Sequence, residues 1–88
     1  MKFTWDLEKE KKNIAKHGFN FVIARYLFLD KNRVVIIDDR NEYGEERHKL
    51  FALAFDIKFM LCYTFREDTV RVISLRKANK REWRKYYE

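Results

Sequence analysis

Residues 47–76 read RHKLFALAFDIKFMLCYTFREDTVRVISLR, and the reading of this stretch decides the architecture. Its apolar, aromatic and β-branched residues form short runs, interrupted at Asp56-Ile57 and at Glu67-Asp68. Runs of that length and composition are strands, and two-residue interruptions between them are hairpin loops. Three consecutive antiparallel strands are therefore expected at 47–55, 58–66 and 69–76. In such a ladder, directly opposed residues share a sheet face. Arg66 then faces Thr69 and Arg47, Thr64 faces Arg71 and Lys49, Cys62 faces Ile73 and Phe51, and Met60 faces Leu75 and Leu53. One face carries an apolar end and, at its other end, four cations: Arg47, Lys49, Arg66 and Arg71. The opposite face carries Leu50, Ala52, Ala54, Phe59, Leu61, Tyr63, Phe65, Val70 and Val72. The small Ala52 and Ala54 leave room there for helices to approach closely.

Working outward, the β-branched run at 33–38 reads as a further buried strand, joined to the first hairpin by a polar connection at 39–46 that contains Gly44. Upstream, Asp6 is a helix N-cap, with Glu8 and Glu10 placed for the positive end of the dipole. That helix runs to about His17, where Gly18 supplies the left-handed residue. Its apolar content, Leu7, Ile14 and Ala15, is thin, which puts it on the surface. Asn20 can cap a second helix over 21–29, with Phe21, Ala24 and Phe28 on one stripe. Phe3 and Trp5 alternate and can add an edge strand. Downstream, Asn79-Lys80-Arg81-Glu82 is a capping box that opens a last helix to about Tyr87. The expected fold is α+β: an antiparallel sheet of about four strands, two N-terminal helices packed on one face, and a basic C-terminal helix.

At 88 residues this is one domain, small enough that its core confers only modest stability. Cys62 is the sole cysteine, so no internal disulfide forms and a reducing compartment suits the chain. No apolar run approaches a membrane span and the first residues do not form a signal peptide, so a cytoplasmic protein with no membrane contact is expected. Of the net charge of +6, +5 lies in the last eighteen residues, where seven basic side chains stand against Glu82 and Glu88. Trp83, Tyr86 and Tyr87 are interleaved with them. Cations beside flat rings hold phosphate and stack bases, although the same rings can pack inward and leave only a solvated basic helix.

Four cations converging from three adjacent strands repel one another unless an anion or nearby carboxylates offset the cost. Glu45, Glu46, Glu67 or Asp68 can do so within the protein; a bound phosphate can do so from outside. Two separated histidines, one cysteine and no paired-carboxylate motif make a poor ligand set for zinc or magnesium, so no metal or cofactor is expected.

Several segments in order carry a family likeness: Phe3-Thr-Trp-Asp6, Lys16-His-Gly18, Phe21 with Ala24, Tyr43-Gly-Glu-Glu-Arg47, Tyr63-Thr-Phe-Arg66, Arg71-Val-Ile-Ser-Leu-Arg-Lys-Ala78, Arg81-Glu82 and Tyr86-Tyr87. Each motif is weak alone, but their order and spacing are specific, and over nearly the whole chain the sequence resembles the BrnT toxins. Ile57 and Glu67 stand where that family commonly has turn glycines. The resemblance implies a RelE-like α+β fold and a ribonuclease toxin of a type II toxin–antitoxin pair that inhibits translation. The implied partners are RNA and a BrnA-like ribbon-helix-helix antitoxin. Operator DNA would be met only through that antitoxin.

RelE-like ribonucleases are thought to work without metal, through attack of the substrate 2′-hydroxyl on the adjacent phosphate. The protein must then hold the phosphate, stabilise its charge and move protons. Arg47, Arg66 and Arg71 suit the electrostatic role, because a guanidinium stays charged and grips phosphate bidentately. For proton transfer the candidates are Glu45 and His17. A carboxylate beside such a patch can equally be a salt-bridge partner, and an imidazole at a helix C-terminus can simply complement the dipole. Glu46 stands in the same position as Glu45. Lys49, Arg76, Lys77, Lys80, Arg81 and Tyr86 are the candidate RNA contacts, with Lys85 a further cation of the same helix. Arg76 falls on the other face in this register and can instead anchor the final helix; Tyr63 belongs to the core. The competing classes are a non-catalytic RNA- or DNA-binding module and a subunit whose basic surface only meets an antitoxin.

Overall fold

The computed structural model describes residues 1–38 and 44–88. Part of the expected connection at 39–46, including Tyr43, lies outside the described residues. The sheet has five strands: β1 (Lys2–Thr4), β2 (Val34–Asp38), β3 (Arg47–Ala54), β4 (Ile57–Arg66) and β5 (Thr69–Lys77), in the order β1-β5-β4-β3-β2. The N-terminal edge strand that the alternation of Phe3 and Trp5 allowed is present, which makes five strands where about four were expected. The expectation of a wholly antiparallel sheet is corrected: β1 runs parallel to β5, Phe3 opposite Val70. The other pairs are antiparallel.

Helix α1 (Leu7–His17) begins and ends where its caps dictate. The Asp6 carboxylate accepts the Glu8 and Lys9 amides at 2.8 and 3.3 Å, and Gly18 closes the helix at φ +85°. The second expected helix is much shorter: a 3₁₀ turn (Phe21–Ile23) leading into α2 (Ala24–Leu27). Asn20 makes no side-chain cap. The Phe21 amide donates instead to Glu10 Oε2 of α1 at 2.9 Å, a carboxylate that tertiary packing brings within reach. Helix α3 (Lys80–Tyr86) carries the complete capping box between Asn79 and Glu82.

Two features change the register. The β3–β4 hairpin turns at Phe55-Asp56, one residue earlier than expected, with φ +54° and +60°. Opposed residues therefore slip by two: Cys62 faces Lys49, and Met60 faces Phe51. A slip of two keeps every side chain on its face, whereas a slip of one reverses them all. The β4–β5 hairpin turns at Glu67-Asp68 as expected, pairing Arg66 with Thr69 and Thr64 with Arg71. Beyond Tyr63–Val72 the ladder jumps to Cys62–Ser74, leaving Ile73 as the extra residue of a β-bulge. Past the bulge the faces exchange. Leu75 lies opposite Leu61 and Arg76 opposite Met60, the reverse of the sequence expectation.

The main core lies between the helices and one face of the sheet. It joins Phe21, Ala24 and Leu27 to Leu50, Ala52, Phe59, Leu61, Tyr63, Val70, Val72 and Leu75. Helix α3 crosses one end of the opposite face, burying Trp83 against Phe51 and Met60. At both sheet margins the outer strand stops short, and a side chain takes over its hydrogen bonds. Past the end of β1, Asn13 pairs with the Leu75 backbone as a strand would, accepting its amide at 3.0 Å and donating to its carbonyl at 2.9 Å. Past the end of β2, Asp30 Oδ2 accepts the Leu53 amide at 2.8 Å. The same oxygen accepts the Tyr87 hydroxyl at 2.7 Å, tying the C-terminus to the helical layer. Among the described residues no helix is long and apolar enough to cross a membrane.

Candidate functional site

Side chains of β3, β4 and β5 alternate, so the register sets which cations share a face. Arg71 lies opposite Thr64, Arg66 is two residues along β4 from Thr64, and Lys49 lies opposite Cys62. Arg47 is two residues along β3 from Lys49 and opposite the buried Asp38 of β2. All of these occupy the face away from α1 and α2. The two-residue slip moved the pairs without disturbing that grouping, and the bulge adds Arg76 to it. Thr64 is buried among them and donates to the Glu46 carbonyl at 2.7 Å, which fixes the start of β3 against β4.

Compensation of these charges is uneven. Arg47 Nε lies 3.7 Å from Glu45, so this candidate proton carrier is also an ion-pair partner. Arg76 is held bidentately by Glu82 of α3, at 2.5 and 3.2 Å, and its Nη1 also donates to the Lys77 carbonyl. It anchors the final helix, which was the alternative to RNA contact. Burial raises the Glu82 carboxyl, but the Arg76 hydrogen bonds, the Asn79 amide and the charges of Arg76 and Lys49 outweigh it and hold the group below the ordinary range. Among the described residues, neither Arg66 nor Arg71 has a carboxylate within ion-pair distance. Arg66 is exposed at the hairpin end, and Arg71 is half-buried. The charge of Arg71 reaches Asp6, whose carboxylate is lowered chiefly by the Lys9 and Glu8 amides and in smaller part by Arg71.

Beside this face a groove of about 260 Å³ runs between β3 and α3, lined by Lys49, Phe51, Asn79, Arg81, Glu82, Lys85 and Tyr86. Tyr86 stacks on Phe51 at 5.0 Å, and Lys85 lies over its ring at 5.1 Å. Both requirements on Tyr86, core packing and a groove-lining position, are met by the one ring. Lys80 lines a separate groove on the other side of α3 with Lys58 and Arg84, and Lys77 is exposed at the end of β5.

His17 is not part of the sheet-face cluster. It lines a shallow groove between α1 and β5 with Lys9, Lys12, Asn13, Lys16, Ile73 and Ser74. The other histidine, His48, belongs to the helix-covered face, stacked on Tyr63 at 5.2 Å with Nε2 3.3 Å from Glu46. Tyr63 is buried, which pushes its phenol above the ordinary value, with Arg33 pulling it partly back. Among the described residues no three His, Cys, Asp or Glu side chains gather into a metal-binding group. Sequence reasoning gave no functional role to Thr64, Ser74 or the α1 lysines. The spacing of Lys9, Lys12 and Lys16 was a visible signal for one helical face.

The chain is thus a small α+β protein that groups Arg47, Lys49, Arg66, Arg71 and Arg76 on one sheet face beside a basic helix, with Arg47 and Arg76 ion-paired to Glu45 and Glu82. The family model for the ribonuclease toxin BrnT of type II toxin–antitoxin systems matches residues 5–82, and the chain belongs to that family. A type II system pairs its toxin with a protein antitoxin, which gives this chain a protein partner. No curated protein matches the chain.

Proposed function

We propose that the chain is a RelE-like, metal-independent endoribonuclease that acts in the cytoplasm and stops growth by cleaving RNA needed for translation. The observation that carries this reading is the grouping of Arg66 and Arg71, without carboxylate partners among the described residues, with Arg47 and Lys49 on one sheet face. The substrate 2′-hydroxyl attacks the adjacent phosphorus, forming a 2′,3′-cyclic phosphate and releasing the 5′-oxygen of the next nucleotide. Arg66, Arg71 and Arg47 stabilise the charge on the phosphoryl oxygens. Glu45, at the edge of the same face, takes the 2′-hydroxyl proton, and the departing 5′-oxygen takes a proton from solvent water to leave as the hydroxyl. Lys49, Arg81 and Tyr86 hold flanking nucleotides in the β3–α3 groove. In this reading the charge that a metal would otherwise neutralise is carried by the guanidinium groups of Arg47, Arg66 and Arg71. The antitoxin in this reading is a BrnA-like ribbon-helix-helix protein, and the toxin meets operator DNA only through it.

The test is cleavage of RNA by purified toxin in excess EDTA, with the product ends identified. Termini bearing 2′,3′-cyclic phosphate are expected. Chelator-abolished activity that Mg²⁺ or Mn²⁺ restores to a still-folded protein would remove the metal-free mechanism.

A further inference from the structure

The groove that holds His17 has no part in the reaction proposed above, yet it is strongly basic. Lys9, Lys12 and Lys16 recur at helical spacing on α1, and Asn13, within the same run, docks the helix on Leu75. None of the three lysines has a carboxylate within ion-pair distance among the described residues. The acidic residues of α1 are otherwise engaged: Glu8 pairs with Lys11 at 3.5 Å, and Glu10 accepts the Phe21 amide. The groove is shallow, about 250 Å³, and its floor is Ile73 and Ser74. Ser74 lies opposite Cys62, on the cationic sheet face, and Ile73 is the bulge residue. The bulge thus brings the edge of β5 into contact with both surfaces. At the other end of α1, Arg71 acts on the N-cap Asp6. The α1 lysines and the sheet-face cations therefore flank the same β5 margin, with the uncharged Ile73 and Ser74 at that margin.

We infer that the Lys9–Lys12–Lys16 face of α1 is a second binding site for the RNA backbone, engaging phosphates of the strand whose cleavage occurs on the sheet face. The inference rests on the ribonuclease reading and adds a separate docking surface to it. Lys9 and Lys16 stand about 10 Å apart along the helix axis, enough to follow on the order of two or three successive phosphates. A surface of this kind contributes affinity and orientation, which do not depend on base identity.

The experiment compares wild type with a combined Lys9→Gln, Lys12→Gln, Lys16→Gln variant and with the matching Lys→Arg triple. Binding is measured across a salt series with a 2′-O-methyl RNA that cannot be cleaved, and cleavage kinetics with the unmodified RNA. Each lost phosphate contact reduces the slope of log affinity against log salt by about 0.7 for a single strand, so the Gln triple should lower it by about 2. Its KM should rise while kcat at saturating RNA stays at the wild-type value, and the Arg triple should behave like wild type. Equal slopes for the Gln triple and a wild type that binds and cleaves would overturn this inference and leave the ribonuclease reading standing. A wild type that binds no RNA would overturn both. Unchanged RNA binding with lost retention of a polyglutamate peptide would assign the groove to an acidic protein segment and also overturn it.

Discussion

Tyr87 and Asp30 show how one oxygen can hold three parts of the chain. Asp30 Oδ2 accepts from Leu53 of β3 and from the Tyr87 hydroxyl, while Oδ1 accepts the Asn32 amide. Burial raises the Asp30 carboxyl, but these hydrogen bonds outweigh it and the group sits below its ordinary value. Burial, together with the Asp30 hydrogen bond and charge, pushes the Tyr87 phenol up to about 12. A raised value means the folded state holds the proton more tightly than the unfolded one. The stabilisation is thus complete below pH 10.0 and is lost as pH rises toward about 12. Tyr87→Phe should cost about 1 kcal/mol at neutral pH and flatten that alkaline limb, as read by thermal melts over a pH series. A second residue-scale test is Asn13→Ala, which leaves the buried Leu75 amide and carbonyl without their side-chain partner. The expected cost is about 2–3 kcal/mol by urea unfolding, and an unchanged midpoint would show that the α1–β5 margin is held by packing alone.

At the scale of elements, the β3–β4 hairpin carries strain that its sequence does not relieve. Phe55 and Asp56 both occupy the left-handed region, where a two-residue turn ordinarily takes Asn-Gly. Phe55 is 64% exposed, and its ring makes an edge contact with Tyr26 at 5.1 Å. Replacing the pair by Phe55→Asn with Asp56→Gly opens no cavity and should stabilise the protein by about 1 kcal/mol. A lowered melting midpoint would mean that the Tyr26 contact outweighs the strain. Helix α3 offers the complementary case. Glu82→Gln keeps the capping box but removes the charge that holds Arg76, at a cost of about 1–2 kcal/mol. The depressed carboxyl gives stability that is present above pH 4.5 and is lost as pH falls through the folded value. Melts at neutral and acid pH should therefore differ between wild type and variant at neutral pH and draw together in acid.

For the molecule as a whole, stability and toxicity should part company at Arg66. It ends β4 with an exposed side chain, so Arg66→Ala removes no core contact and should shift stability by no more than ~0.5 kcal/mol. Loss of one donor to the developing phosphoryl charge should lower the cleavage rate by roughly 10²–10³. Growth assays, melts and an antitoxin pull-down on the same variant test this. A variant that melts normally and stays as toxic as wild type would reduce Arg66 to a charged strand end.

Much of this was legible from local pattern. Alternation and two short interruptions placed β3, β4 and β5, and Asp6, Gly18 and the Asn79–Glu82 box marked helix ends. These are signals a few residues long, enforced by backbone hydrogen bonds, so no distant contact was needed to read them. The cationic grouping survived for a related reason: side-chain direction depends only on odd or even register, and the hairpin slipped by two. What sequence pattern alone could not decide depended on partners far along the chain. Glu10 replaced Asn20 as the cap of Phe21 because α1 folds back over it. The bulge at Ile73 turned Leu75 inward and gave Arg76 to Glu82, because a single extra residue inverts every face beyond it. Asn13 and Asp30 became substitutes for missing strand only where β1 and β2 end short of their neighbours. Composition and periodicity determined the elements and the sign of the surface. The alignment of one element's end against another, and with it which cations pair and which stand open, was decided by tertiary structure, since that depends on distances no local stretch encodes.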